Sequence, residues 1–219
     1  MILAFDTTCK ALSVALIRDG KVIAEHFESR ERGHAAHLLP SIISLLEQEN
    51  LYFKDLKKIV TTVGPGSFTG IRIGISTGRA LALAGNIPLV GVTTFRTLAT
   101  ALNHQQAERK HTLVVIDTKR NEVYTQLLSP SLEEVGEAVC LYPEEIPSFL
   151  PEVPLRIIGD GQNLIKGEVC HIPNIEFDPS KYTFNSFWQT NKVSRQKVYA
   201  IISNYLSTMN KVDIFTLCS

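Results

Sequence analysis

Hydrophobic and polar positions alternate with two different periods along this chain, and the switches between them mark its elements. "ILAFDTT", from Ile2, is an apolar run that ends in polar residues, as a buried strand does. "LSVALIRDGKVIAEHF" follows as two strands around Asp19-Gly20, a pair suited to a two-residue hairpin turn, so the first segment predicts a three-stranded meander. The period then lengthens. In "HAAHLLPSIISLLEQEN" the residues Leu38, Leu39, Ile42, Leu45 and Leu46 recur at helical spacing, with Pro40 predicting a late start or a bend. "KKIVTTVG" predicts a strand, "GPGSFTGIRIGISTGRALALAG" a glycine turn and a long helix, "IPLVGV" another strand, and Thr94 to Leu102 a short helix. Alternating strands and helices of this kind predict an α/β fold with a mixed sheet covered by helices.

A polar run from Asn103 to His111 interrupts this plan and predicts a boundary between a first lobe, 1–103, and a smaller or degenerate second lobe, 111–219. Beyond it "VIDT", Val115 to Thr118, answers "AFDT" at the N-terminus, and an alternating strand follows both. Two strand-Asp-Thr-strand units predict a duplicated fold. "LRIIGDGQN" predicts a strand running into a glycine turn, and "SRQKVYAIISNYLSTMN" an amphipathic helix.

The long glycine segment poses a physical problem. Gly66, Gly70, Gly74 and Gly78 recur every four residues and Ala82 continues the row, which strips one side of a helix of side chains. Three interior glycines cost about 3 kcal/mol relative to alanine. Burial of the apolar flanks, at roughly 1.5 to 3 kcal/mol for each side chain, can offset that cost. Two arrangements achieve it: the ridge packs on this chain's own sheet, or the helix also receives another helix, from this chain or a partner.

Composition narrows the function classes. With 44% hydrophobic and 20% charged residues the chain is an ordinary globular protein, and 22 basic against 22 acidic residues leave no general positive field for nucleic acid. Cys9, Cys140, Cys170 and Cys218 form no C-x-x-C pair, which predicts free thiols rather than a zinc site or disulfide framework. The N-terminus lacks the marks of a signal peptide and the longest apolar region falls short of a membrane span, so a cytoplasmic protein is expected.

Three places carry candidate chemistry. His34 and His37 stand three apart near a helix start, where two imidazoles can share a face, yet nothing nearby completes a metal set, and helix-end histidines are the commoner reading. Asp6, with Thr7 and Thr8, ends a strand at a turn where a carboxylate can hold a magnesium-bound phosphate through water, and Asp117 repeats that position. Such Asp-Thr pairs also arise as local hydrogen-bonded turns. The glycine loop before the long helix suits an anion but fits neither G-x-G-x-x-G nor the P-loop spacing, and Ser67 or Thr69 serves equally as a helix cap.

Together "AFDTTCKALSVAL", "GPGSFTGIRIGISTGRALALA" and "IPLVGVTTFRTLA" resemble the TsaB (YeaZ) family, whose members belong to the bacterial machinery that makes threonylcarbamoyladenosine beside the anticodon of tRNAs. The likeness covers roughly residues 1–125. It implies an actin-like, sugar-kinase and Hsp70 type of fold, ribonuclease H-like, with duplicated lobes. It also implies a non-catalytic subunit that pairs with a catalytic sister, TsaD, and an ATPase, TsaE. The free chain is expected to pair with itself, and tRNA to be met only within the complex. ATP and metal are expected on the partner subunits. Partner-binding residues implied on the first-lobe helices are His34, Leu38, Ile42, Leu45, Gly70, Ile71, Gly74, Ile75 and Gly78, and Asp6, Thr7 and Thr8 are a vestigial phosphate turn. The sister carries a His-x-x-x-His metal motif where this chain has Thr94 and Leu98, so no metal and no catalytic residue is expected here. The tail departs from the family: "NKVDIFTLCS" replaces a Pro-x-Tyr-Leu-Arg-like segment. Two other readings are an ATPase or small-molecule kinase using Asp6 and Asp117, and a metal-dependent peptidase using His34 and His37.

Overall fold

The alternation of the first thirty residues becomes an antiparallel meander in the computed structural model, which describes residues 1–30, 32–103 and 110–177, side chains of 101–103 excepted. Strands β1 (Ile2–Cys9), β2 (Ala11–Arg18) and β3 (Lys21–Ser29) pair in register, with Ala4 opposite Ala15 and Phe5 opposite Val14. Asp19 and Gly20 both take left-handed backbone angles, φ 50° and 73°, the geometry whose twist matches a two-residue hairpin. Helix α1 (His34–Gln48) follows, then β4 (Lys58–Thr62), α2 (Phe68–Gly85) and β5 (Leu89–Val92). The strands β4 and β5 run parallel to β1, so the first sheet has the order β3-β2-β1-β4-β5.

The second sheet repeats this plan strand for strand. Helix α3 (Thr94–Asn103) leads to β6 (His111–Asp117), β7 (Val123–Leu128) and β8 (Glu134–Leu141), again antiparallel. A one-turn helix α4 (Ile146–Phe149), strand β9 (Leu155–Ile158), helix α5 (Gln162–Val169) and β10 (Ile175–Phe177) complete it. Its order is β10-β9-β6-β7-β8, which is the first order with each strand replaced by its counterpart. The duplicated, ribonuclease H-like plan of actin-like and sugar-kinase proteins is therefore present. The two compact units divide after Thr94, the first residue of α3, whereas the polar run in the sequence places the break after that helix. The amphipathic helix predicted from Ser194 lies outside the described residues.

Alternation decides what each core contains. In the first unit Leu3 and Phe5 of β1 and Leu12, Val14 and Leu16 of β2 meet Leu38, Ile42, Leu45 and Leu46 of α1, with Ile59 and Leu89 from the parallel strands. The second unit buries Leu113, Val115, Val123, Leu127, Ile157, Ile165 and Val169 in its own cluster. Pro40 neither delays nor ends α1: the helix starts six residues earlier, at His34, and Pro40 sits on its exposed side. An exposed position leaves the carbonyl deprived of its helical partner open to water.

The glycine ridge answers to the sheet beneath it. Gly70, Gly74 and Gly78 are the buried residues of α2. A Cβ on Gly70 would stand 1.9 Å from the Thr7 carbonyl oxygen, and one on Gly74 2.8 Å from Thr7 Oγ1 and 3.0 Å from Thr61 Oγ1. On Gly78 it would press the Leu89 side chain at 3.0 Å. The α2 backbone thus lies directly on β1 and β4, and Thr7 Oγ1 donates a hydrogen bond to the Gly70 carbonyl at 2.7 Å across the contact.

Gly70→Ala is therefore expected to destabilise the chain by about 3 kcal/mol or to prevent folding, because backbone rather than a yielding side chain meets the new methyl group. Gly167→Ala, in α5 with nothing within 4 Å of where its methyl group would stand, is expected to stabilise by about 0.5 kcal/mol. Urea unfolding of the two variants beside the parent reads both values.

Candidate functional site

Because the glycine face of α2 is spent on the sheet, the apolar side chains of that helix point elsewhere. Phe68 is 69% exposed and Leu83 85% exposed, while Ile71 and Ile75 are half-buried. In the eighteen residues of α2 only Arg72 and Arg79 are charged. The Arg72 guanidinium lies 4.5 Å from the centroid of the Phe68 ring, covering one face of an aromatic side chain otherwise left in water. Beside it α1 carries two apolar stripes. Leu38, Ile42, Leu45 and Leu46 turn inward, and Leu39 and Ile43, 44% and 47% exposed, turn outward with Ala36 and Pro40. The outward stripe follows i, i+3, i+4, i+7, the spacing of one helix face.

The expected partner-binding residues divide by burial. His34, Leu38, Ile42, Leu45, Gly70, Gly74 and Gly78 are all buried in their own unit, where Leu38, Ile42 and Leu45 join the core and the glycines lie against the sheet. Ile71 and Ile75 remain partly exposed, and the exposed apolar residues of the two helices include Ala36, Leu39, Pro40, Ile43, Phe68 and Leu83. The signal that distinguishes the faces was present as doublets, Leu38-Leu39 and Ile42-Ile43, since a helix with one covered side needs only one member of each. At the start of α1 a polar rim adjoins this face. The Arg30 guanidinium donates to Glu28 and holds that carboxyl below the usual carboxylate range, and its Nη2 lies 3.2 Å from His37 Nδ1.

The turn after β1 is closed. Asp6, Thr7 and Thr8 are buried, at 4%, 0% and 3% exposure. Asp6 Oδ1 accepts hydrogen bonds from the Thr8 amide at 2.8 Å, the Thr8 hydroxyl at 2.7 Å and the Thr62 hydroxyl at 2.5 Å, which ties the end of β1 to the end of β4. Asp6 Oδ2 is buried without a protein partner. The Ser67 amide, at the cap of α2, donates to the Thr8 carbonyl at 2.7 Å, and a Cβ on Gly66 would stand 2.5 Å from that oxygen. The expected phosphate turn is thus filled by the loop before α2, and Ser67 Oγ caps that helix by accepting from the Gly70 amide at 3.2 Å.

The equivalent turn in the second unit is built on charge. Lys119 donates to Asp117 from its amide, 2.6 Å, and from its ammonium, 2.7 Å, and the same ammonium reaches Asp160 at 3.3 Å. Partial burial raises the Asp117 carboxyl, but the hydrogen bonds and charge of Lys119 outweigh it and hold the group below its ordinary range. Among the described residues no three His, Cys, Asp or Glu side chains gather as a metal set, and His34 and His37 part company, the first buried and the second exposed. Thr94 and Leu98 are both buried. No described helix is long and apolar enough to cross a membrane.

Comparison with known proteins places this geometry. The family model of TsaD, tRNA N6-adenosine threonylcarbamoyltransferase, matches residues 21–146. The tRNA threonylcarbamoyladenosine biosynthesis protein TsaB of Buchnera aphidicola (from Schizaphis graminum) is 36% identical over 174 residues, which is 77% of this chain and 82% of that one. The chain belongs to the TsaB family. TsaB of Escherichia coli is 42% identical over 127 residues and TsaB of Bacillus subtilis 37% over 126, but these matches span only 52% and 54% of those relatives, about half their length. Among solved structures, YeaZ from Pseudomonas aeruginosa aligns with a TM-score of 0.70 at 28% identity, covering 82% of this chain and 84% of that one.

An acid titration tests the charged turn. A carboxyl whose native pKa is depressed stabilises the fold above its unfolded pKa and loses that contribution as pH falls through the native value. Between about pH 5 and pH 2 the parent is expected to lose more stability than Asp117→Asn, read as the difference between their urea midpoints along the pH series. Parallel curves would show that the Lys119 bonds are not kept in solution.

Proposed function

We propose that this chain is a non-catalytic subunit of the assembly that adds a threonylcarbamoyl group to the adenosine beside the anticodon of tRNAs, and that it pairs with a TsaD-type catalytic subunit through the outward face of α1 and α2. The observation that carries the reading is that face: Leu39, Ile43, Phe68 and Leu83 exposed on neighbouring helices, one of them with only two charged residues. Exposed apolar surface of this kind costs a lone protein solubility and is retained where a partner covers it. Membership in the TsaB family supplies the pathway. Thr94 and Leu98, standing where the sister family carries metal-binding histidines, favour a supporting rather than a catalytic role.

In the same reading the free chain pairs with itself through this face, because a self-complementary apolar patch suits a two-fold dimer. The catalytic subunit displaces that copy, the ATPase TsaE joins the complex, and tRNA is bound only by the assembly. ATP and metal reside on the partner subunits, and the compartment is the cytoplasm.

Mixing the purified chain with the TsaD-type subunit of the same source, followed by size exclusion with light scattering, tests the pairing. A stable heteromer is expected for the parent. Leu39→Arg combined with Ile43→Arg is expected to weaken it at least about 100-fold while moving the thermal midpoint by no more than a few degrees, since both side chains already face water. Separate elution of the parent proteins, or full binding by the double variant, would overturn the proposal.

A further inference from the structure

Each unit carries an aspartate toward the end of its first strand, Asp6 in β1 and Asp117 in β6, and a carboxylate in such a place can hold a magnesium-bound phosphate through water. A magnesium or manganese ion requires carboxylate or water oxygens with free lone pairs in an accessible place. Neither turn offers them to a cation: the first is buried, and the second already holds a positive charge, the Lys119 ammonium. At the first, one oxygen of Asp6 already accepts three hydrogen bonds and the other is buried. At the second, the carboxylates are accessible but each of their four oxygens has a donor. Asp117 Oδ1 takes the Lys119 amide and Asp117 Oδ2 its ammonium; Asp160 Oδ1 takes the Asp117 amide at 2.9 Å and Asp160 Oδ2 the same ammonium.

We infer that the Lys119 ammonium is the built-in counter-ion of this turn, standing between Asp117 and Asp160 where a divalent cation would bind, and that it makes the second unit indifferent to magnesium-nucleotide. The backbone is adapted to hold it. Lys119 takes a left-handed conformation, φ 62°, uncommon for a residue other than glycine, and in it the amide and the ammonium of one residue reach the two oxygens of the same carboxylate. Gly159, φ 104°, brings the strand end carrying Asp160 against β6, where a Cβ would stand 2.1 Å from the Val115 carbonyl oxygen, and no bulkier residue would let the second carboxylate come so near the first. The same fold position is thus closed by packing in one unit and occupied by an amine in the other. This inference is independent of the helix-face reading, and neither stands or falls with the other.

Removing the amine should expose two facing carboxylates with no cation. Manganese(II) titration followed by the electron paramagnetic resonance signal of the free ion, with thermal unfolding in parallel, tests this on the full chain. The parent is expected to show no saturable binding up to millimolar manganese. Lys119→Met is expected to bind one ion at least about tenfold more tightly than any residual binding of the parent, and to gain thermal stability on adding it. Lys119→Met combined with Asp160→Asn should lose both effects. Stoichiometric manganese binding by the parent that Asp117→Asn abolishes would overturn the inference, as would a folded Lys119→Met that binds no better than the parent. Should Lys119→Met fail to fold, Lys119→Gln replaces it. If that too unfolds, refolding on addition of manganese supports the inference and failure to refold contradicts it.

Discussion

Helix α2 meets β1 backbone on backbone: it lies so near that a Cβ on Gly70 would stand 1.9 Å from the Thr7 carbonyl oxygen. Much else follows from that approach. A helix that meets its sheet through glycine brings few side chains to the core on that face, so the cost of the interior glycines is offset by close packing and by flanking residues such as Ile73 and Leu81, which join the core at its edge. The remaining apolar side chains, Phe68 and Leu83 among them, are left outside. The same approach seals the turn after β1, because the loop leading into α2 bonds to Thr8 and covers the place where a ligand would enter.

The second unit shows what the fold does without that helix. Its strand order is the same, yet α5 has eight residues where α2 has eighteen, and α4 is a single turn where α1 spans fifteen. Among the described residues the Asp-Thr turn of β6 is partly exposed, and Lys119 pairs with its carboxylate where packing closes the first. One topology, repeated, therefore leaves apolar side chains exposed on the helices of the first unit and an ion-paired turn in the second. The TsaB family assignment rests on sequence similarity; the structure adds which apolar side chains of each helix are exposed.

Local chemistry was readable wherever one residue type had one use. Asp19-Gly20 specified its hairpin turn, the two Asp-Thr strand ends revealed the duplication, and glycines spaced by four announced a close backbone approach. What approached was not readable, since a sheet and a partner helix make the same demand of a glycine row. The helix α1 hid its faces for a related reason: doublets such as Leu38-Leu39 satisfy both an inner and an outer stripe, and only the position of β2 decides between them. The role of Lys119 left no signal because its contacts with Asp160 join residues far apart in the chain. Pro40 misled because its cost depends on whether the freed carbonyl meets water, which is a property of the fold.

Side-chain footprinting with hydroxyl radicals, on the free chain at a concentration where it is monomeric and again with the TsaD-type subunit, tests the central claim most directly. Leu39, Ile43, Phe68 and Leu83 are expected to react in the monomer and to be protected in the complex, while Leu38 and Ile42 stay unreactive in both. Protection confined to the second unit, or labelling of Leu38 and Ile42 in the monomer equal to that of Leu39 and Ile43, would contradict the account.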